Sequence, residues 1–551
     1  MNVRLRRIAN RGFTGASVFS VVLLTAALLV ILGPMLLEGA TAVFFHGTVE
    51  FRKVQLHQFG RGDPAALAKE IAATERAREP IYRLLNEFRH GIDTDSLEDE
   101  ARHVYRELGK QLKHREGVGP EERLRIRRFF RGLRNTLIDA YESTDKAEAQ
   151  ALLAKVLTHE EDERLAGTVG ERLFRMARDY GKLLETFDLG KREAYADALD
   201  EVQQAVRNLF GPPPGNPKRG LPAEHRYGAH RMDMVRRYAD DLLYAETWVD
   251  VEKGQSLVKK RIPREEQFAG TTLEPLFGLF QESVDAMFRP RFTVYWQYFL
   301  DDAVPGHYFG GVGEEILGTL TVTVLAIAFA FPLGVISAAY LVEVAGDNVV
   351  VRFIRMSINT LAGVPSIVFG LFGLAFFVLV IQKATGGEHK GPCVLACALT
   401  VSVLVLPVII RASEEAIRAV PHSYKEAALA LGASRLRCFV TVQLPAALPG
   451  ILTGVILSLA RAAGETAPFL FVGAAATTDP PLWEYPLWDW PWQQVQMLSY
   501  GAYDLAMNDR IAGMVPHQQW GMVMTLIGLV LVLNIIAIIV RSRISRKLHG
   551  G

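Results

Sequence analysis

The feature that most constrains this chain is a set of long apolar runs near its two ends. Six of them approach or exceed the roughly 20 residues that a helix needs to cross the hydrocarbon core of a bilayer. Because lipid offers no hydrogen bonds to backbone N–H and C=O groups, such runs must be helical. The sequence therefore predicts an all-α polytopic membrane protein with six transmembrane helices. The predicted spans cover residues 15–37, 316–341, 361–381, 393–410, 450–475 and 521–540.

Charged residues are concentrated between the first and second of these runs. The chain is 22% charged with a net charge of +1, but most of its charges lie between residues 50 and 300. We therefore predict three parts: residues 1–40 with the first span, a large and mainly helical insert over 41–308, and a five-helix core over 309–551. Because Lys and Arg are matched by Asp and Glu, no basic face indicates a nucleic-acid partner.

Positive charges beside the spans predict the orientation. With a cytoplasmic N-terminus, the segments assigned to the inside carry 15 Lys and Arg residues, whereas the short outside segments 382–392 and 476–520 carry three. Since Lys and Arg accumulate on the cytoplasmic side, we expect a multi-pass inner-membrane protein with both termini in the cytoplasm and an exported insert. The first run could instead be a cleaved signal peptide, because arginines precede it, but its length favours a retained anchor.

Apolar residues in the insert recur at helical spacing, and a second part with both helix and strand patterns follows. The spacing i, i+3, i+4, i+7 predicts helix faces packed in a bundle core. The run 211–217 contains four prolines and cannot continue a helix, so it separates the helical part from the mixed part. Residues 247–261 predict a hairpin that turns at 253–254. The residues of one such helix face are Ile81, Leu84, Leu85 and Phe88.

No pattern in the insert indicates a catalytic or metal site. The segment 159–162 lacks the HExxH spacing, and His225 and His230 are five residues apart, so they fall on different faces of a helix. We expect these histidines to lie on a solvated surface. The charged surfaces keep the insert soluble or, as an alternative, bind an exported partner.

One loop between the fourth and fifth spans, residues 411–447, carries a motif with defined spacing. It matches the EAA-xxx-G-xxxxxxxxx-I-x-LP signature of ABC importer permeases, with Val442 where Ile is usual. The predicted orientation places this loop in the cytoplasm, where ATP is available. The residues that carry the match are Glu426, Ala427, Ala428, Gly432, Leu444 and Pro445.

The spacing of this motif has a physical reason. Ala427 and Ala428 on a short helix allow the groove of another protein to approach closely, and Glu426 offers a fixed charge. Gly432 permits the left-handed turn that ends this helix, and Ser434 can cap the next one. We therefore predict a helix-turn-helix that couples to a separate ATPase. The alternative is an amphipathic surface helix with an accidental match.

From about residue 310 onward the chain resembles the PstA-type permeases of phosphate importers, which have the MetI-like permease fold. The resemblance is carried by LAGVPSIVFGLF at 361–372, LPVIIRASEEA at 406–416, LARAAGETAP at 459–468 and the EAA loop. The sister PstC-type permeases share GVPS and GET, but IRASEE and ETAP are more similar to PstA. The insert over 41–308 is a departure, since a minimal member of this family lacks it.

The resemblance implies a set of partners. These are a PstC-type second permease, PstB-type ATP-binding subunits, an exported phosphate-binding protein, phosphate itself and the lipid bilayer. ATP would be bound by the partner, and no cofactor is expected in this chain. Consistently, the sequence has no GxxxxGK[ST] phosphate loop, because its Gly-Lys pairs are followed by Gln111, Leu183 and Arg192. We therefore expect a transport subunit and not an enzyme.

Two charged residues lie within the fifth predicted span. Arg461 and Glu465 need polar partners, because a charge at the centre of a bilayer costs roughly 2.5–3.5 kcal/mol on insertion scales. Their i, i+4 spacing permits a structural ion pair on one helix face. Alternatively, Arg461 lines the substrate path and binds phosphate oxygens transiently while Glu465 orients it. Arg411 either extends this path or is an anchor whose charge reaches the membrane surface.

The function predicted from these features is that of the membrane permease subunit of an ATP-driven phosphate importer. Two alternatives stay open. A permease of the same fold could carry another oxyanion, such as molybdate or sulfate. The chain could also be a membrane-anchored sensor or scaffold whose exported insert is the working part.

Overall fold

The computed structural model divides the chain into two compact units. Met1–Phe45 and Thr293–Gly551 form the membrane unit, and His46–Phe292 forms the insert unit. The insert unit is thus shorter at both ends than the predicted insert, and its export stays a prediction. The structure describes residues 3–114, 119–214, 226–249, 258–304, 307–346, 348–384, 392–475, 478–507 and 515–548.

Among the described residues of the membrane unit, six helices are long and apolar enough to cross a membrane, which confirms the predicted number. We call them spans 1 to 6 in chain order. The apolar residues of each continue for five turns or more, as the thickness of a bilayer requires. They are Phe13–Ala40, Gly313–Val344, Ser366–Ala384, Val394–Arg418, Arg435–Gly464 and Pro516–Lys547.

Span 3 begins later than predicted. The sequence prediction starts it at residue 361, but a separate amphipathic helix, Val349–Leu361, ends there and span 3 starts at Ser366. Pro365 explains the break, because the residue before a proline is disfavoured in the helical conformation. The apolar run therefore contains a turn that hydropathy alone does not reveal.

Span 5 ends earlier than predicted. Its last helix, Leu444–Gly464, stops eleven residues before the predicted end, and Glu465 is extended with φ −70° and ψ 142°. The short helix Phe469–Val472 follows directly after Pro468. The GET segment of the motif at 459–468 thus lies at a helix end and not inside a continuous helix.

Span 4 is the centre of the membrane unit. Two thirds of its most apolar window, 67%, is buried, compared with none of span 1 and 6% of span 6. Small residues permit this packing. A Cβ on Gly454 of span 5 would lie 2.2 Å from Ala412 Cβ of span 4, and one on Gly370 of span 3 would lie 2.8 Å from Pro468 Cα. The resemblance motifs 361–372 and 459–468 therefore meet, and the motif 406–416 packs against span 5.

Three π-helical turns lie within or at the end of the described spans. They are Tyr340–Val344 in span 2, Leu374–Val378 in span 3 and Phe439–Gln443 in span 5. Such turns often mark functional positions in helices. The α-helices described in this unit are Val3–Ala40, Gly313–Ala339, Val349–Leu361, Ser366–Gly373, Leu379–Ala384, Val394–Arg418, His422–Ala430, Arg435–Cys438, Leu444–Gly464, Phe469–Val472, Leu498–Met507 and Pro516–Leu548.

The insert unit is a helical bundle with a small hairpin. Its predicted helix face is confirmed, since Ile81, Leu85 and Phe88 are buried in one core. The helix before the proline-rich run ends at Phe210, as predicted. The described α-helices are Val49–Phe59, Pro64–Ile92, Thr94–His114, Pro120–Glu142, Lys146–Leu157, Glu171–Glu185, Arg192–Phe210, Met232–Leu243, Arg264–Gln267 and Pro275–Phe288.

The predicted hairpin is present. Strand Tyr244–Val249 pairs antiparallel with strand Val258–Pro263, in a register that joins Val249 to Val258. The predicted turn at 253–254 lies outside the described residues. Two further short strands, Phe44–Gly47 and Arg291–Val294, carry the chain between the two units.

The prediction that His230 lies on a solvated surface is wrong. Its side chain is 3% exposed, and its carbonyl accepts a hydrogen bond of 2.9 Å from the backbone N–H of Thr48. Burial lowers the pKa of His230 to about 4, although the charge of Glu50 acts in the opposite direction. His230 is therefore a neutral core residue. His225 lies outside the described residues.

Candidate functional site

The loop between spans 4 and 5 folds as a helix-turn-helix, which we call the knob (residues 422–438). Helix His422–Ala430 and helix Arg435–Cys438 are joined by a turn in which Gly432 has φ +82°. The Ser434 hydroxyl accepts a hydrogen bond of 3.3 Å from the backbone N–H of Arg437. The left-handed glycine and the serine cap that the sequence predicts are thus confirmed.

The knob exposes a mixed surface. Glu426 and Ala427 are exposed, while Ala428 is buried against the rest of the unit. Two leucines on either side of the turn are open to solvent, Leu431 to 90% and Leu436 to 74%. Leucines this exposed, beside a charge and a small residue, have the chemistry of a docking surface. The sequence analysis did not single out the leucines, although their position beside the glycine was the available signal.

A carboxylate that the sequence analysis missed ties the knob to two spans. Glu343 lies on the π-turn that ends span 2, and it accepts hydrogen bonds from Lys425 Nζ of the knob and, at 3.0 Å, from Gln443 Nε2 of span 5. Gln443 directly precedes Leu444 and Pro445, which begin the helix of span 5. The available signal was a lone acid at the end of an apolar run, because such residues are costly without a partner.

Arg461 and Glu465 form an ion pair, but not on one helix face. Arg461 lies in the last turn of span 5 and Glu465 just beyond the helix, with 3.3 Å between Arg461 Nε and Glu465 Oε1. The Glu465 carbonyl also accepts a hydrogen bond of 2.7 Å from Ser499 Oγ. The side chain of Arg461 keeps 37% of its surface exposed, so its remaining N–H groups can bind another anion.

Arg411 lies on span 4 and does not join this pair. It borders a cavity of about 340 Å³ that is also lined by Arg355, Glu414 and Arg418. Glu414 pairs with Arg355 at 3.2 Å and with Arg418 at 2.6 Å. Among the described residues, no carboxylate pairs with Arg411. Its guanidinium group is exposed and free to bind an anion.

The two arginines lie at different depths of the unit. Ala412 of span 4 is level with Gly454 of span 5, because a Cβ on Gly454 would lie 2.2 Å from the Ala412 Cβ. Arg461 follows Gly454 by seven residues, which corresponds to about 10 Å along a helix axis. Arg411 and Arg461 therefore form two separate guanidinium positions, each with the planar geometry that suits oxyanions.

A second carboxylate, Glu314, accepts hydrogen bonds from the segment that connects spans 5 and 6. In the first turn of span 2 it accepts hydrogen bonds from Thr478 Oγ1, from the backbone N–H of Leu482 at 3.2 Å and from Gln496 Nε2 at 2.5 Å. The sequence analysis placed Glu314 outside the predicted span and gave it no role.

Comparisons with known proteins identify a family and several relatives. The family described as binding-protein-dependent transport system inner membrane component matches residues 330–550. The phosphate transport system permease protein PstA of Mycobacterium leprae is 35% identical over 257 residues, which are 46% of this chain and 79% of the relative. PstA 1 of Mycobacterium tuberculosis is 35% identical over 254 residues, 46% of this chain and 78% of the relative.

Two further proteins are similar to part of this chain. The probable ABC transporter permease protein YqgI of Bacillus subtilis is 36% identical over 250 residues, 44% of this chain and 81% of the relative. A solved structure of the MetNI methionine ABC transporter in an inward-facing conformation is 18% identical, with a TM-score of 0.32. It covers 43% of this chain and 95% of the solved chain.

Proposed function

Since the chain belongs to the PstA family of phosphate transport permeases, within the binding-protein-dependent transport components, we propose that it forms part of the membrane pathway of an ATP-driven phosphate importer. The observation that carries this proposal is the knob, with its left-handed Gly432 between two short helices. A helix-turn-helix with an exposed acid and exposed leucines suits the groove of a separate ATP-binding subunit. A PstC-type permease and an exported phosphate-binding protein complete the complex.

The contacts of Glu343 support a route for coupling. A movement of the knob pulls on Lys425, and Lys425 is bonded to Glu343 on span 2. The same carboxylate is bonded to Gln443, which lies just before the helix Leu444–Gly464 of span 5. Closure of the ATP-binding subunits therefore displaces spans 2 and 5 together and shifts the bundle between outward-open and inward-open states.

We further propose that phosphate passes the two free guanidinium positions in turn. Arg461 offers its unused N–H groups to the anion while Glu465 holds the side chain in place. Arg411 receives the anion about two helical turns further along. Because the Glu465 carboxylate is negatively charged, it weakens the binding of phosphate to Arg461. Phosphate is therefore bound transiently and can move on.

The proposal is tested by phosphate uptake in membranes that contain all the subunits. Glu426→Lys should abolish uptake and the association with the ATP-binding subunit, because it reverses the exposed charge of the knob. Glu38→Lys is the control, since Glu38 is also exposed but lies on span 1. Normal uptake in Glu426→Lys, or equal loss in both variants, would contradict the coupling role.

The substrate is tested in the same membranes. Labelled phosphate is supplied with an excess of molybdate or sulfate. We expect unlabelled phosphate to abolish uptake of the label and the other two oxyanions to leave most of it. If molybdate or sulfate is taken up in preference, the chain is a permease for another oxyanion.

A further inference from the structure

The insert unit contains three arginines arranged around one tyrosine. Arg127, Arg131 and Arg134 lie on helix Pro120–Glu142, and their Cζ atoms are 5.6, 5.8 and 4.8 Å from the ring centre of Tyr105. Arg131 also donates to the Tyr105 hydroxyl, at 3.4 Å from Nε and 3.1 Å from Nη2. Their spacing, i, i+4 and i+7, places the three arginines on one face of the helix.

Within the described part of the insert, these arginines have no acidic partner, unlike other arginines there. Among the described residues, none of the three pairs with a carboxylate; Arg134 donates to the amide oxygen of Asn135. The Nε atom of Arg127 is buried without a hydrogen-bond partner in the described structure. By contrast, Arg172 bonds to two glutamates, at 3.1 and 3.3 Å. Three like charges thus share a small volume without compensation.

The pKa of Tyr105 reflects the positive charge of these arginines. Burial acts to raise its pKa, but the hydrogen bond from Arg131 and the charges of Arg127 and Arg131 outweigh burial and lower the pKa below its ordinary value. A positive potential that lowers the pKa of a phenol also stabilises another oxyanion at this position.

We propose that the insert carries an oxyanion site of the phosphate type, formed by the guanidinium groups of Arg127, Arg131 and Arg134 around the Tyr105 ring. Guanidinium groups bind tetrahedral oxyanions through pairs of parallel hydrogen bonds, and an anion here would relieve the repulsion among them. The free N–H groups are those not engaged with Tyr105 or Asn135. The ligand is inorganic phosphate or a phosphate group on a larger molecule. The site does not depend on the proposed transport role.

The test measures equilibrium binding of labelled phosphate to the purified full chain. The double variant Arg127→Gln with Arg131→Gln removes two members of the cluster. The matched control is Arg125→Gln with Arg128→Gln, because these exposed arginines lie on the same helix and have no described contact with Tyr105. Any phosphate bound by the membrane unit is common to all three proteins and does not affect the comparison.

We expect at least a tenfold loss of affinity in the first variant and none in the control. Sulfate should compete, and chloride at the same ionic strength should not. Soluble dihexanoyl phosphatidic acid is the second probe: if it displaces phosphate at much lower concentration, the natural ligand is a phosphate group on a larger molecule. Should the double variant fail to fold, Arg134→Gln alone must still weaken binding. Equal binding in wild type, cluster variant and control, or equal displacement by chloride, would overturn the proposal.

Discussion

Substitution of Gly432 tests whether the shape of the knob is needed for coupling. A Cβ atom at this position would meet nothing within 4 Å, so the change is not opposed by a clash. The backbone, however, has φ +82°, a left-handed conformation that costs an L-residue roughly 1–2 kcal/mol. Gly432→Ala therefore perturbs only the conformation of the turn. Asparagine tolerates this conformation better than alanine, and a β-branched valine tolerates it worst.

The energy converts directly into an expected effect. A cost of 1–2 kcal/mol lowers the ratio of native to non-native turn by a factor of roughly 5–30. We expect the affinity of the permease for its ATP-binding subunit to fall by up to this factor in Gly432→Ala, less in Gly432→Asn and more in Gly432→Val. Phosphate uptake should fall in the same order. The assay is titration of the purified permease with the ATP-binding subunit, together with uptake in membranes.

A matched glycine provides the control. Gly346 lies in the segment between spans 2 and 3, a Cβ there also meets nothing within 4 Å, and its φ is not in the left-handed region. Gly346→Ala should change neither affinity nor uptake. If Gly432→Ala keeps wild-type affinity, or if alanine, asparagine and valine are equivalent, the left-handed turn has no part in coupling.

Three further predictions concern charge, pH and topology. Exchanging the pair, Arg461→Glu with Glu465→Arg, should leave the complex assembled but without phosphate uptake, because it moves the guanidinium group along the chain; recovery of uptake would favour a purely structural ion pair. The pKa of His230 is about 4 in the folded state and 6.5 in the unfolded state, so as the pH falls the unfolded chain binds a proton first. The free energy of unfolding should therefore fall by about 2–3 kcal/mol between pH 7.5 and pH 4.5 on account of this residue. Chemical unfolding of His230→Gln should lack this part of the pH dependence, and an unchanged pH dependence would refute the assignment. A reagent that cannot cross the membrane should label a cysteine at position 100 but not one at position 434, and outside labelling at 434 would reverse the orientation.

The spans could be predicted from the sequence because their signal is local and long. Burial of the backbone in lipid requires an apolar helix of bilayer length, and six such runs are visible without any tertiary information. The ends of spans 3 and 5 could not be placed this way. Around Val364 the residues stay apolar while the chain leaves the helix before Pro365. Span 5 leaves the helix at Glu465, but residues 467–472 are again apolar, so hydropathy continues past both breaks.

The knob could be predicted for a different reason. Gly432 and Ser434 have strong local preferences, for a left-handed turn and for a helix cap, and these preferences do not depend on distant contacts. The contact of Glu343 with Lys425 and Gln443 joins residues 82 and 100 positions apart, and only the packed bundle reveals it. The burial of His230 likewise follows from its contact with Thr48 and not from its sequence neighbours.

The two π-turns joined by Glu343 have a consequence for how the bundle can move. Each holds one residue more per turn than an α-helix, and the hydrogen bond between Glu343 and Gln443 places the two turns side by side. One extra residue rotates the side chains on the two sides of a π-turn by about 100° relative to an uninterrupted α-helix. A change from π to α geometry in span 5 would therefore rotate the helix that follows relative to the knob. Because Glu343 is bonded to Gln443, such a rotation either breaks this hydrogen bond or moves the end of span 2 with it.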